Sequence, residues 1–151
     1  RMGYIVAPES FIREARALRA TVLGHPPGHV QRTAAYFLSL GHYDAMINRM
    51  KSAFKRRRQA MDDAIAAEGL SVAGQGGFGG SSIWMQAPEG VDTEVLATRL
   101  RQDGVLIEPG QGFFDAARGS FVPQNCYRLA YSSIAIGKIA PGIALIAAAL
   151  R

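Results

Sequence analysis

The sequence predicts an α/β chain in which helices come first and a small α+β lobe follows. Up to about residue 67, apolar residues recur mainly at helical spacing, whereas the later part alternates short apolar runs with helices. A cluster of glycines over residues 74–80 marks the change between the two parts. The later order of strand, helix, strand, strand and helix is typical of a compact lobe with helices against one face of a sheet.

The first part of the chain is predicted to hold one buried strand and two helices. Residues 2–7 form the strand, and Glu9 begins a helix whose apolar residues lie four, three and four positions apart. Two prolines in the loop 24–28 separate this helix from the next one, because proline cannot continue a helix. The apolar stripe of the first helix comprises Phe11, Ala15, Leu18 and Val22.

A third helix is predicted over residues 43–67. At a rise of about 1.5 Å per residue it would be roughly 35 Å long, which exceeds a typical globular helix. We interpret it as a bridge between two lobes. The predicted domains are therefore residues 1–42, a connecting helix over 43–68 and a C-terminal lobe over 69–151.

The C-terminal lobe is predicted to contain two helices and three strands. Asp92 caps a helix that ends before Gly104, and Ile139 begins the last helix. Pro141 fits that last helix only in its first turn, where a missing N–H is tolerated. The strands are residues 81–85, 105–107 and 127–132.

The composition excludes several classes of protein. The chain is 48% apolar and 19% charged, which are globular values, and its longest apolar stretch is too short to cross a membrane. A single cysteine excludes an internal disulfide and is compatible with the cytoplasm, where we expect the protein. Much of the net charge of +5 lies in one basic run of the third helix, and a solvated helix face explains that run more simply than nucleic-acid binding. The run comprises Lys51, Lys55, Arg56, Arg57 and Arg58.

No catalytic residue is predicted in this chain. The three histidines lie apart from any cysteine or carboxylate cluster, so the sequence predicts no metal site. Cys126 lies in a predicted strand, where packing is a simpler role than nucleophilic attack. The glycine cluster over 74–80 lacks the pattern of a phosphate-binding loop and predicts a hairpin or loop.

Arg128 is the residue that most directly suggests a binding function. It alternates with Tyr127, Leu129 and Tyr131, so one face of a predicted strand carries a guanidinium. A guanidinium in an apolar strand needs an anion, and its planar fork matches a carboxylate. The alternative is an ion pair with one of the chain's 12 acidic residues, and a guanidinium locked onto such an acid would count against a ligand.

Residues 1–8, R-M-G-Y-I-V-A-P, resemble the R-x-G-Y-x-x-A-P segment that follows the cofactor lysine in fold-type I pyridoxal-phosphate-dependent aminotransferases of class I and II. Four later segments resemble the aminotransferase-like domain of MocR-type regulators of the GntR superfamily. These segments are residues 25–32, 40–58, 105–114 and 127–134. The resemblance covers nearly the whole chain.

The resemblance implies a fold, a cofactor and two binding residues. The chain would be the end of a large pyridoxal-phosphate-binding domain, joined by a long helix to an aminotransferase-type small domain. By position, Arg1 matches the arginine that binds the cofactor phosphate, and Arg128 matches the one that binds the substrate α-carboxylate. The lysine that bonds the cofactor would precede Arg1, so we expect this chain alone to be inactive.

Two functions follow from the resemblance. The domain would bind pyridoxal phosphate and an amino acid, as substrate or effector, within a transcription regulator whose upstream winged helix-turn-helix binds DNA. The alternative is part of a stand-alone aminotransferase that acts on amino acids and 2-oxo acids, and a third possibility is a domain kept only for dimerisation. Family members pair as homodimers, so we expect a homodimer without membrane association.

Overall fold

The structure, a computed structural model, describes four stretches of the chain. They are residues 3–25, 27–74, 80–114 and 121–151. The chain divides into two compact units, Arg1–Met50 and Lys51–Arg151. The boundary between them lies inside the longest helix, α3 (His42–Glu68), whose extent agrees closely with the predicted third helix. The three predicted domains remain a prediction.

The first unit contains α1 (Glu9–Val22), α2 (Gly28–Ser39) and the start of α3. Each of the first two helices begins directly after a proline, whose fixed φ suits a helix start. Both helices are therefore present as predicted, but neither has a buried residue, so the apolar stripe of α1 faces no core in the described structure. The exposed apolar side chains include Phe11, Leu18, Val22, Tyr36 and Leu38.

The buried strand predicted over residues 2–7 is wrong for its described part. Residues 3–7 have no regular secondary structure, and Tyr4 and Val6 are 91% and 86% exposed. A strand needs a neighbour that pairs with its backbone N–H and C=O groups, and the sheet of the described residues belongs to the second unit. The apolar sequence of this segment indicated burial, but burial requires a covering partner.

The second unit is built on an antiparallel sheet of four strands. They are β1 (Ser71–Val72), β2 (Ser82–Gln86), β3 (Glu108–Pro109) and β4 (Cys126–Ala130). Their order in the sheet is β1-β2-β4-β3. The centre of the sheet is the pairing of β2 with β4, in which Ser82 lies opposite Ala130 and Gln86 lies opposite Cys126.

The strand predicted over residues 105–107 is observed directly after these residues, at Glu108–Pro109. Pairing begins at Glu108, the first residue of β3. The backbone N–H of Val105 is already used, because it donates to the Leu100 carbonyl at 2.9 Å and closes the preceding helix. The apolar run therefore leads into the strand and does not form it.

The core lies between one face of the sheet and three helices. Successive strand residues point to opposite faces, so Met85, Tyr127 and Leu129 point into the core while Trp84 and Arg128 point away from it. The helices that cover the core face are α3, α4 (Thr93–Gln102) and α5 (Ile139–Leu150). Their buried residues include Met61, Ala64, Ile65, Leu96, Leu100, Ile139, Ile143 and Ile146.

The two helices that follow the glycine cluster begin and end as predicted. The carboxylate of Asp92 accepts a hydrogen bond from the Glu94 N–H at 2.8 Å, which satisfies one free donor of the first turn of α4. Gly104 ends this helix in the left-handed region, with φ at 75°. Pro141 is the third residue of α5 and lies in its first turn.

The basic run of α3 has structural partners in the second unit. Arg57 donates from Nε to the Ile134 carbonyl at 2.9 Å and from Nη1 to the Ser132 carbonyl at 2.7 Å. Arg58 pairs with Asp62 one turn later, at 2.8 Å. The Arg57 contacts attach the segment after β4 to α3, so part of the basic run stabilises the fold.

The buried tyrosines Tyr127, in β4, and Tyr131, directly after it, differ in whether their hydroxyl forms a hydrogen bond. Tyr127 is 0% exposed, and its hydroxyl has no hydrogen-bond partner among the described residues. Burial therefore raises the pKa of Tyr127 to about 12, because the charged phenolate is poorly solvated there. Tyr131 is also buried, but its hydroxyl donates to the Gly80 carbonyl at 2.9 Å.

Replacing Tyr127 with phenylalanine is expected to raise the free energy of unfolding by about 1 kcal/mol at neutral pH, because an unpaired buried hydroxyl is removed. In the unsubstituted protein, Tyr127 ionises near pH 10 when unfolded and near 12 when folded. Ionisation of Tyr127 therefore leaves the free energy of unfolding unchanged below pH 10 and lowers it by about 1.4 kcal/mol per pH unit between pH 10 and pH 12. Urea unfolding across this range should show a shallower decline for Tyr127→Phe.

The matched control is Tyr131→Phe, which removes a satisfied hydroxyl from the same segment. It is expected to lower the free energy of unfolding by about 1 kcal/mol and to keep the steep decline above pH 10. Equal effects of the two substitutions would contradict the different environments of the hydroxyls.

Candidate functional site

The candidate site lies on the sheet face that points away from the core. Glu108 lies opposite Arg128 in the pairing of β3 with β4, and Trp84 lies opposite Arg128 in the pairing of β2 with β4. Residues directly opposite each other on antiparallel strands project to the same side. The strand register alone therefore places Trp84, Arg128 and Glu108 in one row across the sheet.

Arg128 forms an ion pair with Glu108. Its Nε donates to the Glu108 Oε2 atom at 3.0 Å, and its Nη2 donates to the same oxygen. The side chains are 38% and 47% exposed, so solvent screens the pair and its contribution to stability is at most about 1 kcal/mol. The intrachain pair that the sequence left open as an alternative is therefore present, and it counts against a ligand at the edge of the guanidinium that Glu108 occupies.

The ion pair uses one edge of the guanidinium and one oxygen of the carboxylate. Both N–H groups converge on Oε2, so the pair lacks the two-oxygen fork that arginine forms with a carboxylate in its strongest geometry. Within the described residues, Nη1 has no hydrogen-bond acceptor. Glu108 accepts one of the two N–H groups of Nη2. The other N–H group of Nη2 and those of Nη1 form the opposite end of the guanidinium, which Glu108 does not contact.

The Phe113 ring covers one face of the guanidinium. The Cζ atom of Arg128 lies 4.9 Å from the centroid of the Phe113 ring, within the range of a cation–π contact. Phe113 meets Trp84 edge to face, with centroids 5.4 Å apart, and Phe114 lies 6.2 Å from the same indole. Arg128 is therefore fixed at one edge by Glu108 and on one face by Phe113.

The loop that carries Phe113 is anchored at Gly110, where the chain passes very close to β4. The Gly110 N–H donates to the Cys126 carbonyl at 2.8 Å, and a Cβ at Gly110 would lie only 2.4 Å from that carbonyl oxygen. The buried Thr93 hydroxyl lies 2.9 Å from the same oxygen and 3.1 Å from the Gln111 side chain. Only glycine permits this approach, so Gly110 sets the position of the short 3-10 turn Gln111–Phe113.

The structure describes one of the two predicted anion-binding residues. Arg128 lies in β4, opposite Glu108. Arg1 and Met2 lie outside the described residues, and so does most of the glycine cluster, residues 75–79. Cys126 is 7% exposed within β4, as its packing role predicts.

Neither a metal-ligand cluster nor a membrane-spanning helix is present among the described residues. Within them, no group of three or more His, Cys, Asp or Glu side chains could hold a metal ion. Among the helices described, none is long and apolar enough to cross a membrane.

Sequence reasoning missed Glu108 and assigned no contact to Phe113. The predicted strand stopped at residue 107, one position before the acid, because apolar residues were the signal used. An acidic residue that directly continues an apolar run, next to Pro109-Gly110, would have been the usable clue, since it indicates a strand end with one polar face.

The chain matches the family described as aminotransferase class I and II over residues 1–133. It therefore belongs to that family, and the α/β fold predicted from the resemblance is confirmed. The solved structure of LysN, α-aminoadipate aminotransferase from Thermus thermophilus, complexed with N-(5'-phosphopyridoxyl)-L-leucine, is 25% identical with a TM-score of 0.83. That match covers 96% of this chain and 36% of LysN.

Two relatives represent the two predicted functions. The HTH-type transcriptional regulator TauR of Rhodobacter capsulatus is 64% identical over 151 residues, which are 100% of this chain and 31% of TauR. Aromatic-amino-acid aminotransferase 1 of Thermococcus litoralis is 29% identical over 154 residues, covering 100% of this chain and 36% of that enzyme. The chain thus spans about a third of the length of these relatives.

Replacing Gly110 with alanine is expected to lower the free energy of unfolding by about 1–3 kcal/mol, because the added Cβ overlaps the Cys126 carbonyl. It should also alter the fluorescence of Trp84, the single tryptophan of the chain, since the turn that carries Phe113 must move. Urea unfolding and the emission spectrum of the folded protein measure the two effects.

Gly112→Ala is the matched control in the same turn, because a Cβ there has no atom within 4 Å. Its unfolding free energy is expected to stay within about 0.5 kcal/mol of the unsubstituted protein, with unchanged emission. Identical behaviour of the two alanine variants would refute the close approach at Gly110.

Proposed function

We propose that this chain supplies the carboxylate-binding part of a pyridoxal-phosphate-dependent aminotransferase-type domain, and that Arg128 binds the α-carboxylate of an amino acid. The observation that supports this is the guanidinium held at one edge by Glu108 while Nη1 has no acceptor among the described residues. A ligand carboxylate can accept two charge-assisted hydrogen bonds from Nη1 and Nη2. Because Glu108 and Phe113 already restrain Arg128, little side-chain entropy would be lost on binding.

The proposed cofactor, pyridoxal phosphate, would be held by residues other than Arg128. Pyridoxal phosphate needs cationic or N–H donors for its phosphate, and in this chain we assign that role to Arg1. When bound, the cofactor supplies an electron sink next to the Cα atom of the amino acid. The residues described here fit the amino-acid end, where Arg128 would bind and orient the carboxylate. We place the lysine that bonds the cofactor in the sequence that precedes Arg1.

We further propose that the full-length protein is a cytoplasmic transcription regulator in which this domain senses an amino-acid effector. The support is the 64% identity to a relative named as an HTH-type transcriptional regulator. DNA would be bound by an upstream helix-turn-helix domain, and two copies of the protein would pair as a homodimer. The alternative, a stand-alone aminotransferase, is supported by the 29% identity to an aromatic-amino-acid aminotransferase.

Replacing Arg128 with alanine in the full-length protein is expected to weaken amino-acid binding about 10- to 150-fold, which corresponds to the loss of a hydrogen bond with a charged group. Cofactor affinity should change little, because the phosphate is assigned to Arg1. The measurement is a titration with L-amino acids, followed through the absorbance of the bound cofactor. The cofactor affinity is measured separately.

The control for lost charge is Arg101→Ala, since Arg101 is exposed on α4, away from the candidate site. Amino-acid affinity should be unchanged in this variant. If Arg128→Ala also binds amino acids normally, Arg128 does not bind the carboxylate.

Regulator and enzyme are distinguished by two assays on the same full-length protein. A regulator is expected to bind a DNA fragment from its own upstream region with an affinity that an amino acid changes. Its conversion of amino acid and 2-oxo acid should be slow, well below the roughly 10 s⁻¹ of a median enzyme. Multiple-turnover transamination without DNA binding would instead identify a stand-alone aminotransferase.

A further inference from the structure

We propose that Glu108 is a positioning residue of the Arg128 site, and that its charge makes this site prefer ligands with one carboxylate over ligands with two. The inference deepens the proposed function and rests on it, because the selectivity concerns the ligand that Arg128 binds.

The position of Glu108 is set by backbone contacts and not by burial of its side chain. Glu108 is paired with Arg128 in the strand register, and two residues later Gly110 is hydrogen-bonded to the Cys126 carbonyl at 2.8 Å. The side chain itself remains 47% exposed. The core therefore does not require this side chain, whereas the orientation of the guanidinium requires a hydrogen-bond acceptor at this position.

The way in which Glu108 holds Arg128 determines what remains for a ligand. Its Oε2 atom takes the N–H groups of Nε and Nη2 that form one side of the guanidinium. With Phe113 on one face, the plane of the guanidinium is fixed and the end formed by Nη1 and Nη2 is presented to the ligand. A neutral acceptor at position 108 would provide the same orientation, so positioning alone does not require a negative charge.

The charge of Glu108 has a separate effect on selectivity. The single positive charge of Arg128 is already balanced by Glu108, so a bound carboxylate leaves this group of residues with a net negative charge. The second oxygen of Glu108, Oε1, has no hydrogen-bond donor among the described residues. A second carboxylate on the ligand would be repelled, whereas a neutral or cationic side chain would not. The expected ligands are therefore amino acids whose side chains are not acidic.

The test uses two probes of equal carbon number, pentanoate with one carboxylate and glutarate with two. Their dissociation constants are measured by calorimetry on the full-length protein loaded with pyridoxal phosphate, so that the readout is independent of turnover. The quantity of interest is the ratio of the glutarate constant to the pentanoate constant. Each variant is compared with the unsubstituted protein.

Glu108→Gln is expected to lower this ratio about 10-fold, because the repulsion is removed while the amide oxygen still accepts from Arg128. Pentanoate affinity should remain within about 3-fold in this variant and fall about 10-fold in Glu108→Ala, which loses the positioning contact. Glu108→Asp keeps the charge and is expected to keep the preference for pentanoate. Glu89→Gln, which removes an exposed carboxylate from the turn after β2, should leave both constants unchanged.

The outcomes separate this inference from the function on which it rests. An unchanged ratio in Glu108→Gln, combined with loss of pentanoate binding in Arg128→Ala, overturns the role of Glu108 and leaves the carboxylate site intact. Equal pentanoate binding in Arg128→Ala and the unsubstituted protein overturns the proposed carboxylate site itself. Pentanoate affinity that is normal in Glu108→Ala shows that Glu108 does not position Arg128.

Discussion

The antiparallel pairing of β2 with β4 is the constraint on which both the core and the candidate site depend. It turns Met85 and Tyr127 towards the helices and, by alternation, turns Trp84 and Arg128 to the opposite face. A slip of one residue would exchange the two faces and bury the guanidinium. Burial of the apolar residues therefore selects the register, and the register in turn places the arginine. The stability of the lobe and the geometry of the site have the same origin.

The Cys126 carbonyl links the helical side of the lobe to the site on the other face. It accepts the Gly110 N–H at 2.8 Å, and the Thr93 hydroxyl at the start of α4 lies 2.9 Å away. Thr93 also contacts Gln111, the first residue of the turn that ends at Phe113. The start of α4 and the residue that follows β3 thus meet at one backbone oxygen. The turn that ends at Phe113, whose ring lies 4.9 Å from the Arg128 Cζ atom, is therefore anchored near this oxygen.

Local patterns predicted the parts of this structure that local chemistry determines. Asp92 and Gly104 mark the two ends of α4 because capping and a left-handed residue act within one helical turn. The alternation around Arg128 likewise predicted its strand and placed Arg128 on the face opposite Tyr127 and Leu129. By contrast, residues 3–7 are apolar yet exposed, since burial depends on a partner elsewhere in the protein. Glu108 escaped prediction for a related reason: its importance comes from a cross-strand neighbour 20 residues away.

The Arg128–Glu108 pair lacks the geometry that would contribute most to stability. A pair that served stability would gain most from two parallel hydrogen bonds to both carboxylate oxygens. Here both donors share Oε2, and within the described residues neither Nη1 nor Oε1 has a partner. Water can satisfy such atoms on an exposed face, so leaving them unpaired costs the fold little. Under the function proposed above, a ligand carboxylate would replace water at Nη1 and Nη2, because Glu108 leaves that end of the guanidinium without an acceptor among the described residues.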